Sequence, residues 1–316
     1  MPATTRAARL HAHGRPLTVE PVELRTPGEG EIAVELRFAG VNPVDGYVAE
    51  GRVAPDGPLP RTLGGEAAGT ADGRPVLVAG EGLGAARDGV WAQRAIVPEA
   101  AVIPLPEDVG PREAAAMGVA GLTAWKVVHE VGAVTAEDRV LVLGASGGVG
   151  TMIVSLAAAS GATVWGQTGS SEKSELVERQ GADRAIVAGA EDVAEAVAEL
   201  EPTVVFDPLG DGFVAPMLDA LSLRGRLVSF GTSAGPDVQL NMQTLYRKML
   251  SICGYAGLQL GREERRAGLE TALEALRAGE LKVVIDEVLP LEQVNEAFER
   301  ITRRQVQGKL LLGMAE

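Results

Sequence analysis

The sequence predicts an α/β protein whose central part forms a doubly wound parallel sheet. From about residue 139, short apolar segments with the composition of strands alternate with segments of helical length. A glycine-rich segment joins the first of these strands to the first of these helices. Parallel strands need such crossover helices between them, so the alternation favours a parallel sheet covered by helices. The first third of the chain differs, because Gly and Pro break it into short strand-like segments.

The composition fits two globular domains in a chain of 316 residues. Apolar residues make up 46% and aromatic residues only 3%, so the cores must consist mainly of Val, Leu, Ile and Ala. The formal net charge of −14 argues against a nucleic-acid partner. The sequence contains no uninterrupted run of 18 apolar residues, so it predicts no membrane span. Residues 1–6 lack the apolar start of a signal peptide. We therefore expect a cytoplasmic protein.

The N-terminal third is predicted to contain short strands. Residues 31–38 alternate polar and apolar side chains with a period of two, as a half-buried strand does. Residues 75–79 and 95–97 are further strand candidates. The glycine-rich stretches at 64–69 and 80–89 are predicted to be loops or tight turns.

The central and C-terminal parts carry a longer series of elements. Two helices are predicted from residue 111 to residue 131, and an amphipathic helix is predicted over 262–278. Near the C-terminus we expect a strand, a helix and a strand at about 282–288, 291–300 and 309–312. The predicted elements between them are strands at 139–143, 162–165, 203–206 and 225–230, with helices at 149–160 and 171–180.

The glycine-rich segment at 144–150 predicts a dinucleotide-binding loop. It follows a strand and opens a helix, and its spacing is Ala145-x-Gly147-x-x-Gly150, one residue away from the usual first glycine. A pyrophosphate must approach backbone N–H groups at the start of a helix, where a Cβ would obstruct it. We expect Ser146, Gly147, Gly148 and Val149 to line the pyrophosphate. A tight strand–helix turn without a ligand is the alternative interpretation.

The end of the next strand predicts NADPH rather than NADH. An NAD-selective site places an acidic residue about 20 residues after the loop to bind the ribose hydroxyls. Residues 166–171 contain no acidic side chain, and Thr168, Gly169, Ser170 and Lys173 can accommodate and bind a 2′-phosphate instead. The alternative is that Ser170 only caps a helix and Lys173 is solvated. Phe230, Gly231 and Thr232 follow another strand and should lie along the cofactor, because open α/β sheets bind ligands at these strand ends.

Several segments together carry a resemblance to a known family. Residues 120–125 precede the glycine loop at 144–150, and the other matching segments fall in the same order, at 40–47, 63–69, 204–210, 225–231 and 308–312. The ordered set resembles the medium-chain dehydrogenase/reductase superfamily, in particular its quinone oxidoreductase and enoyl reductase branch.

The resemblance implies a domain organisation. It implies a GroES-like, mostly β catalytic domain built from residues 1–118 and 255–316, and a Rossmann NADPH-binding domain over 119–254. It also implies an active site in the cleft between the domains, and a homodimer, since homodimers are common in this superfamily.

The sequence departs from the zinc enzymes of this superfamily. They carry a Cys where this chain has residues 42–45, and a His where it has Gly65. The chain has one cysteine, Cys253, which is expected to be buried in a strand, and three histidines placed elsewhere. A three-ligand catalytic zinc site needs such side chains, so we expect no metal site.

Without zinc, the resemblance implies hydride transfer from NADPH to a small-molecule acceptor. The acceptor would be an enone or enoyl compound or a quinone, and the negative charge that develops on its oxygen needs a hydrogen-bond donor. The resemblance places Tyr47 and Asn42 beside the nicotinamide, with Thr123 contacting its end of the cofactor. Tyr47 is either a proton donor or an aromatic that packs against the cofactor, and Thr123 is alternatively a helix-stabilising hydroxyl.

Two other functions remain open from the sequence. One is a tailoring enoyl reductase that acts on a polyketide-like biosynthetic intermediate. The other is a protein that binds NADPH without turnover.

Overall fold

The structure is a computed structural model that describes residues 4–314. Within this range the chain forms two compact units. The first contains residues 4–122, 260–277 and 285–314, and the second contains residues 123–259 and 278–284. No helix among the described residues is both long and apolar enough to cross a bilayer.

The strands are numbered along the chain. They are β1 (Thr4–Leu10), β2 (Thr18–Glu23), β3 (Glu31–Val41), β4 (Arg61–Thr62), β5 (Glu66–Ala71), β6 (Arg74–Ala79), β7 (Arg94–Pro98), β8 (Val102–Pro104), β9 (Arg139–Val142), β10 (Thr163–Thr168), β11 (Arg184–Val187), β12 (Val204–Asp207), β13 (Arg226–Ser229), β14 (Ser251–Gly254), β15 (Ile285–Pro290) and β16 (Lys309–Gly313).

The α-helices are numbered in the same way. They are α1 (Pro43–Ala49), α2 (Pro111–Ala114), α3 (Leu122–Lys126), α4 (Gly148–Ala159), α5 (Ser174–Arg179), α6 (Val193–Ala196), α7 (Val214–Ala220), α8 (Met242–Arg247), α9 (Arg262–Arg277) and α10 (Val294–Thr302). Wider π-helical turns at Met117–Gly121 and Val127–Val131 flank α3.

The first unit is built around β3, the longest strand. Its first half pairs with β7 and its last residues pair with β16, while β5 lies antiparallel along its middle. The sheet runs in the order β15-β16-β3-β5-β6-β8, and a second sheet has the order β2-β1-β4. Trp91 is fully buried in the core, and its indole N–H donates to the carbonyl of Gly40. The long β3 thus connects both ends of the chain in one unit.

The prediction of a loop at 64–69 was wrong, because residues 66–71 form the central strand β5. Its small residues serve close packing between strands rather than a turn. Gly69 lies opposite Leu36, where the β3 register shifts, and a Cβ at Gly69 would lie 2.8 Å from the Cα of Leu36. Glycine therefore permits β5 to approach the irregular part of β3.

The second unit contains a six-stranded parallel sheet with the order β11-β10-β9-β12-β13-β14. The strands of this sheet lie parallel to their neighbours, and the sequence-predicted doubly wound fold is confirmed. The inner strands are apolar because helices cover them, and Leu141, Val205 and Leu227 are fully buried. The strand order reverses between β9 and β12, and the carboxyl ends of these strands form the edge at which open α/β sheets bind ligands.

Candidate active site

The glycine loop at 144–150 connects β9 directly to α4. Gly144 has a φ of +59°, and a Cβ at Gly150 would lie 2.8 Å from the Cα of Ala145. The first helical hydrogen bond of α4 runs from the Thr151 N–H to the Gly147 carbonyl. The N–H groups of the preceding residues in this first turn therefore have no helical carbonyl to which they can donate. They are directed out of the helix start, where an oxyanion is stabilised.

Gln167 fixes this loop to the neighbouring strand, and sequence reasoning missed its role. Its buried side chain accepts a hydrogen bond from the Gly144 N–H at 3.0 Å and donates one to the Ala188 carbonyl at 2.7 Å. Its backbone carbonyl also accepts from the Ala145 N–H at 2.8 Å. One residue of β10 thus ties the start of the loop to the end of β11. The only sequence signal was a polar residue inside an apolar strand.

Four of the predicted cofactor residues lie at the end of β10 or directly after it, namely Thr168, Gly169, Ser170 and Lys173. The Thr168 hydroxyl is buried and lies 3.4 Å from the Ser146 hydroxyl of the glycine loop. Gly169 is exposed, and a Cβ built on it would meet no atom within 4 Å. Ser170 and Lys173 are half-buried at the start of the next helical segment, where the Lys173 N–H donates to the Ser170 carbonyl. The segment has both an open position and a cation within four residues.

Loops after β12 and β13 complete this edge of the sheet. Asp207 ends β12, and its buried carboxylate accepts hydrogen bonds from the N–H groups of Leu209 and Gly210. Burial raises the pKa of Asp207 above its usual range. These bonds shape the turn that packs against Gly144, since a Cβ built on Gly144 would contact Pro208. Phe230, Gly231 and Thr232 follow β13, and the Phe230 N–H donates to the Asp207 carbonyl.

Asn42 and Asp45 form a capping box at the start of α1 in the first unit. The Asp45 carboxylate accepts a hydrogen bond from the Asn42 N–H at 2.8 Å, and Pro43 occupies the first helical position. Both capping side chains are buried. Burial, with a smaller contribution from the nearby Glu66 carboxylate, raises the pKa of Asp45 to about 7, against the opposing effects of hydrogen bonds from Asn42 and the charge of Lys309. Asp45 is therefore a structural cap that resists ionisation.

Glu66 and Lys309 surround the side chain of Asn42. The Asn42 amide donates to Glu66 Oε1 at 2.7 Å, and Lys309 Nζ donates to Asn42 Oδ1 at 2.5 Å and to Glu66 Oε1 at 2.8 Å. The second Glu66 oxygen accepts from the Val119 N–H at 2.7 Å. The three side chains are at most 4% exposed. The structure thus engages both ends of the Asn42 amide inside the protein, a role that sequence reasoning missed.

Tyr47 lies on α1, two residues after Asp45. Its side chain is half-buried, and the guanidinium carbon of Arg52 stacks 4.2 Å from the centre of its ring. The Tyr47 carbonyl accepts hydrogen bonds from the N–H groups of Arg52 and Val53, so the residues after α1 fold back onto it. Arg52 in turn forms an ion pair with the Glu50 carboxylate, so its charge is balanced beside the ring.

Thr123 is half-buried within α3, at the beginning of the second unit. Residues 42–45 and 64–66, where zinc enzymes of the resembled superfamily carry ligands, hold neither Cys nor His. Across the described range 4–314, no group of three His, Cys, Asp or Glu side chains is arranged to hold a metal ion. Cys253 is partly exposed on β14, whereas the sequence predicted a buried position.

Comparison with known proteins shows the family of this chain. Residues 148–278 match the family described as zinc-binding dehydrogenase. The chain is 31% identical to quinone oxidoreductase 1 of Escherichia coli, over 96% of this chain and 98% of that protein. The chain belongs to the quinone oxidoreductase branch of the medium-chain dehydrogenase/reductase superfamily.

Solved structures of this superfamily have the same fold. The quinone oxidoreductase of Escherichia coli in complex with NADPH superimposes with a TM-score of 0.86 at 29% identity, over 98% of this chain and 99% of that one. A cobalt- and zinc-bound thermostable alcohol dehydrogenase from Pyrobaculum aerophilum gives the same TM-score at 27% identity, again over 98% of this chain and 100% of the other. The structures similar to this chain therefore include a metal-bound enzyme.

Proposed function

We propose that this quinone oxidoreductase homologue is an NADPH-dependent oxidoreductase that reduces an enone or enoyl compound or a quinone without zinc. The observation that carries the proposal is the glycine loop at the start of α4, whose outward N–H groups can bind a pyrophosphate. When bound, NADPH supplies the hydride. The NADPH complex of the Escherichia coli relative supports the same cofactor here.

Selectivity for NADPH is assigned to the end of β10. The ribose nearest the adenine needs an acceptor for its hydroxyls in an NAD site, but a donor for its phosphate in an NADPH site. Residues 166–171 carry no carboxylate, and Lys173 adds a cation nearby. The open face at Gly169 leaves room for the phosphate, with Ser170 as a further donor.

The absence of zinc is proposed from the donors around Asn42. The groups in contact here are the Asn42 amide, the Glu66 carboxylate and the Lys309 ammonium group. Lys309 already supplies the positive charge that neutralises Glu66. An ammonium group within 3 Å of the carboxylate repels a divalent cation, and amide oxygen is a poor ligand for Zn²⁺. Polarisation of the acceptor oxygen must then come from a hydrogen-bond donor, which we assign to Tyr47.

A homodimer is proposed from the edge of the parallel sheet. Strand β14 pairs on one side with β13 and ends the sheet among the described residues. Around it, large apolar side chains are exposed on β14, on α8 and in the adjoining turns, namely Met242, Tyr246, Met249, Ile252 and Leu258. Such an edge with exposed apolar side chains is typical of a surface that pairs with another copy.

The first experiment is a measurement of NADPH and NADH oxidation by absorbance with a panel of quinones, enones and enoyl thioesters. The proposal predicts turnover with NADPH on at least one of these acceptor classes. Turnover with NADH alone would overturn the cofactor assignment. Tight NADPH binding without turnover on any acceptor would overturn the proposed reaction and favour a binding protein. Turnover that survives dialysis against a chelator is expected, and its loss would overturn the zinc-free mechanism.

A further inference from the structure

Arg61 is a fully buried cation without a partner. Its side chain is 0% exposed, and none of its three guanidinium nitrogens has a hydrogen-bond partner among residues 4–314. Burial lowers the pKa of Arg61 below its usual value, but a guanidinium group stays protonated in proteins. A buried charge without a counter-ion costs several kcal/mol. The fold therefore holds a positive charge for which the described residues supply no anion.

The neighbouring Arg9 is also buried, but its guanidinium group has hydrogen-bond partners. Its guanidinium donates to the Thr62 hydroxyl at 3.1 Å, to the Asp88 carboxylate at 2.6 Å and to the Pro60 carbonyl at 2.7 Å. Asp88 also accepts from the Thr62 N–H at 2.7 Å. The Asp88 carboxylate is therefore committed to Arg9 and to the backbone beside it. Arg61 lies opposite Leu10 in the β1–β4 pairing and points to the other face.

Two loops meet over the Arg61 guanidinium. One contains residues 51–60 and the other contains residues 80–89. At Gly57 the first loop is so close that a Cβ would overlap both Arg61 Nη1 and the Ala85 carbonyl of the second loop. Pro55, Asp56 and Pro58 are exposed, so a short segment of irregular chain separates the guanidinium from solvent. Opening of this segment would give an anion access to Arg61.

We propose that Arg61 binds an oxyanion, a carboxylate or phosphate group, beneath the loop at 51–60. A guanidinium group matches the two oxygens of either group with parallel hydrogen bonds, which explains Arg rather than Lys at this position. The loop follows α1 directly, and its first residues donate hydrogen bonds to the Tyr47 carbonyl. Resting on the function proposed above, we assign the oxyanion to the acceptor substrate, as a carboxylate or phosphate distant from its reacting double bond.

The first test measures anion binding without turnover. Thermal unfolding of the wild type is followed against potassium acetate and potassium phosphate, with potassium chloride at matched ionic strength as reference. We expect a saturable rise in Tm with an oxyanion that Arg61→Met abolishes and Arg61→Lys weakens. Arg94→Met is the matched control, since Arg94 forms an exposed ion pair with Glu35 on a neighbouring strand, and it should respond like the wild type.

The same variants separate an anion site from a packing role. Without oxyanions, Arg61→Met should raise Tm, because it removes the unpaired buried charge but keeps much of the side-chain volume. A wild type that shows no saturable response would overturn the proposal. So would an Arg61→Met protein whose Tm rises with the oxyanion as the wild-type Tm does. If Arg61→Met is less stable than the wild type and the wild type shows no saturable response, Arg61 has a packing role instead.

The second test measures KM for 4-(3-oxobut-1-enyl)benzoic acid, an enone whose carboxylate lies across the ring from the reacting double bond, and for its methyl ester, which lacks the charge. Arg61→Met should raise KM for the acid about tenfold, as expected for loss of a charged hydrogen bond. It should leave kcat for the acid, and both KM and kcat for the ester, unchanged. An equal change in KM for the acid and the ester would show that Arg61 does not bind the carboxylate of the acceptor. The site would then be one for free anions. If neither compound is reduced by the wild type, the proposed function fails on these acceptors, while the thermal test still decides the anion site.

Discussion

Lys309 Nζ lies 2.8 Å from Glu66 Oε1, and neither side chain is more than 3% exposed to solvent. This ion pair connects β16, the last of the described strands, to the start of β5. Asn42 bridges the two charges, so a cation, an anion and an amide form one buried polar cluster. Buried charges of this kind cost the folded state least when each is paired and hydrogen-bonded, as they are here.

Removal of Lys309 should destabilise the first unit strongly. Lys309→Met leaves the Glu66 carboxylate buried without its counter-ion, and we expect a loss of about 3–5 kcal/mol, measured by urea unfolding. Adding Glu66→Gln should recover most of this loss, because the glutamine oxygen can still accept from the Val119 N–H. Lys282→Met, at an exposed lysine, is the control. A loss of less than about 1 kcal/mol for Lys309→Met would show that the ion pair contributes little.

The stability of the protein should depend on pH through Asp45. Its pKa is raised to about 7 in the folded protein, above the value of about 3.9 for an unfolded chain. The neutral carboxyl group is favoured by folding, so its contribution is complete below about pH 4 and is lost as the pH rises to 7. The total is on the order of 4 kcal/mol.

Asp45→Asn tests this dependence, since an amide can accept the Asn42 hydrogen bond but does not ionise. The stability of the variant relative to the wild type should increase between pH 5 and pH 8, measured by urea unfolding at each pH. A difference that is constant across this range would mean that Asp45 does not titrate there.

Gln167→Leu should weaken cofactor binding by loosening the glycine loop. The change removes the hydrogen bond to the Gly144 N–H and leaves this group and the Ala188 carbonyl without a partner. We expect Kd for NADPH to rise roughly tenfold, measured by fluorescence titration. Gln243→Leu, at an exposed position on α8, should leave Kd unchanged. An unaltered Kd for Gln167→Leu would show that the loop keeps its shape without this side chain.

Lys173→Ala tests the assignment of the phosphate site. Loss of a charged hydrogen bond should raise Kd for NADPH about tenfold or more, while Kd for NADH changes little. Arg179→Ala removes a cation that pairs with Glu175 on the exposed side of α5, and it should preserve the preference. Equal weakening of both cofactors would remove Lys173 from the phosphate site.

Tyr47→Phe tests the hydrogen-bond donor to the acceptor. If the phenol stabilises the oxygen that gains charge, kcat should fall about 100-fold on an enone substrate with a small change in KM. Tyr246→Phe makes the same change on an exposed helix and should keep full activity. An unchanged kcat would leave Tyr47 as an aromatic that packs in the site.

Local patterns predicted much of the second unit. Its strands are short apolar segments separated by helices, and a parallel sheet follows from that alternation because each crossover needs a helix. The glycine loop was found for the same reason, since strand, glycines and helix are consecutive in sequence. The first unit was harder, because small residues at 64–69 predict a loop by propensity, whereas packing against β3 makes them a strand.

The sequence alone determined the family, the alternating fold and the location of the glycine loop, because each depends on residues that are close along the chain. Only the tertiary structure decided which polar groups meet. Lys309 joins Glu66 and Asn42 across more than 240 residues of sequence. Burial beside these residues raises the pKa of Asp45. Whether a charge is paired also depends on the fold, since Arg9 finds a carboxylate and Arg61 does not. Burial and long-range proximity set these energies, and no local pattern encodes them.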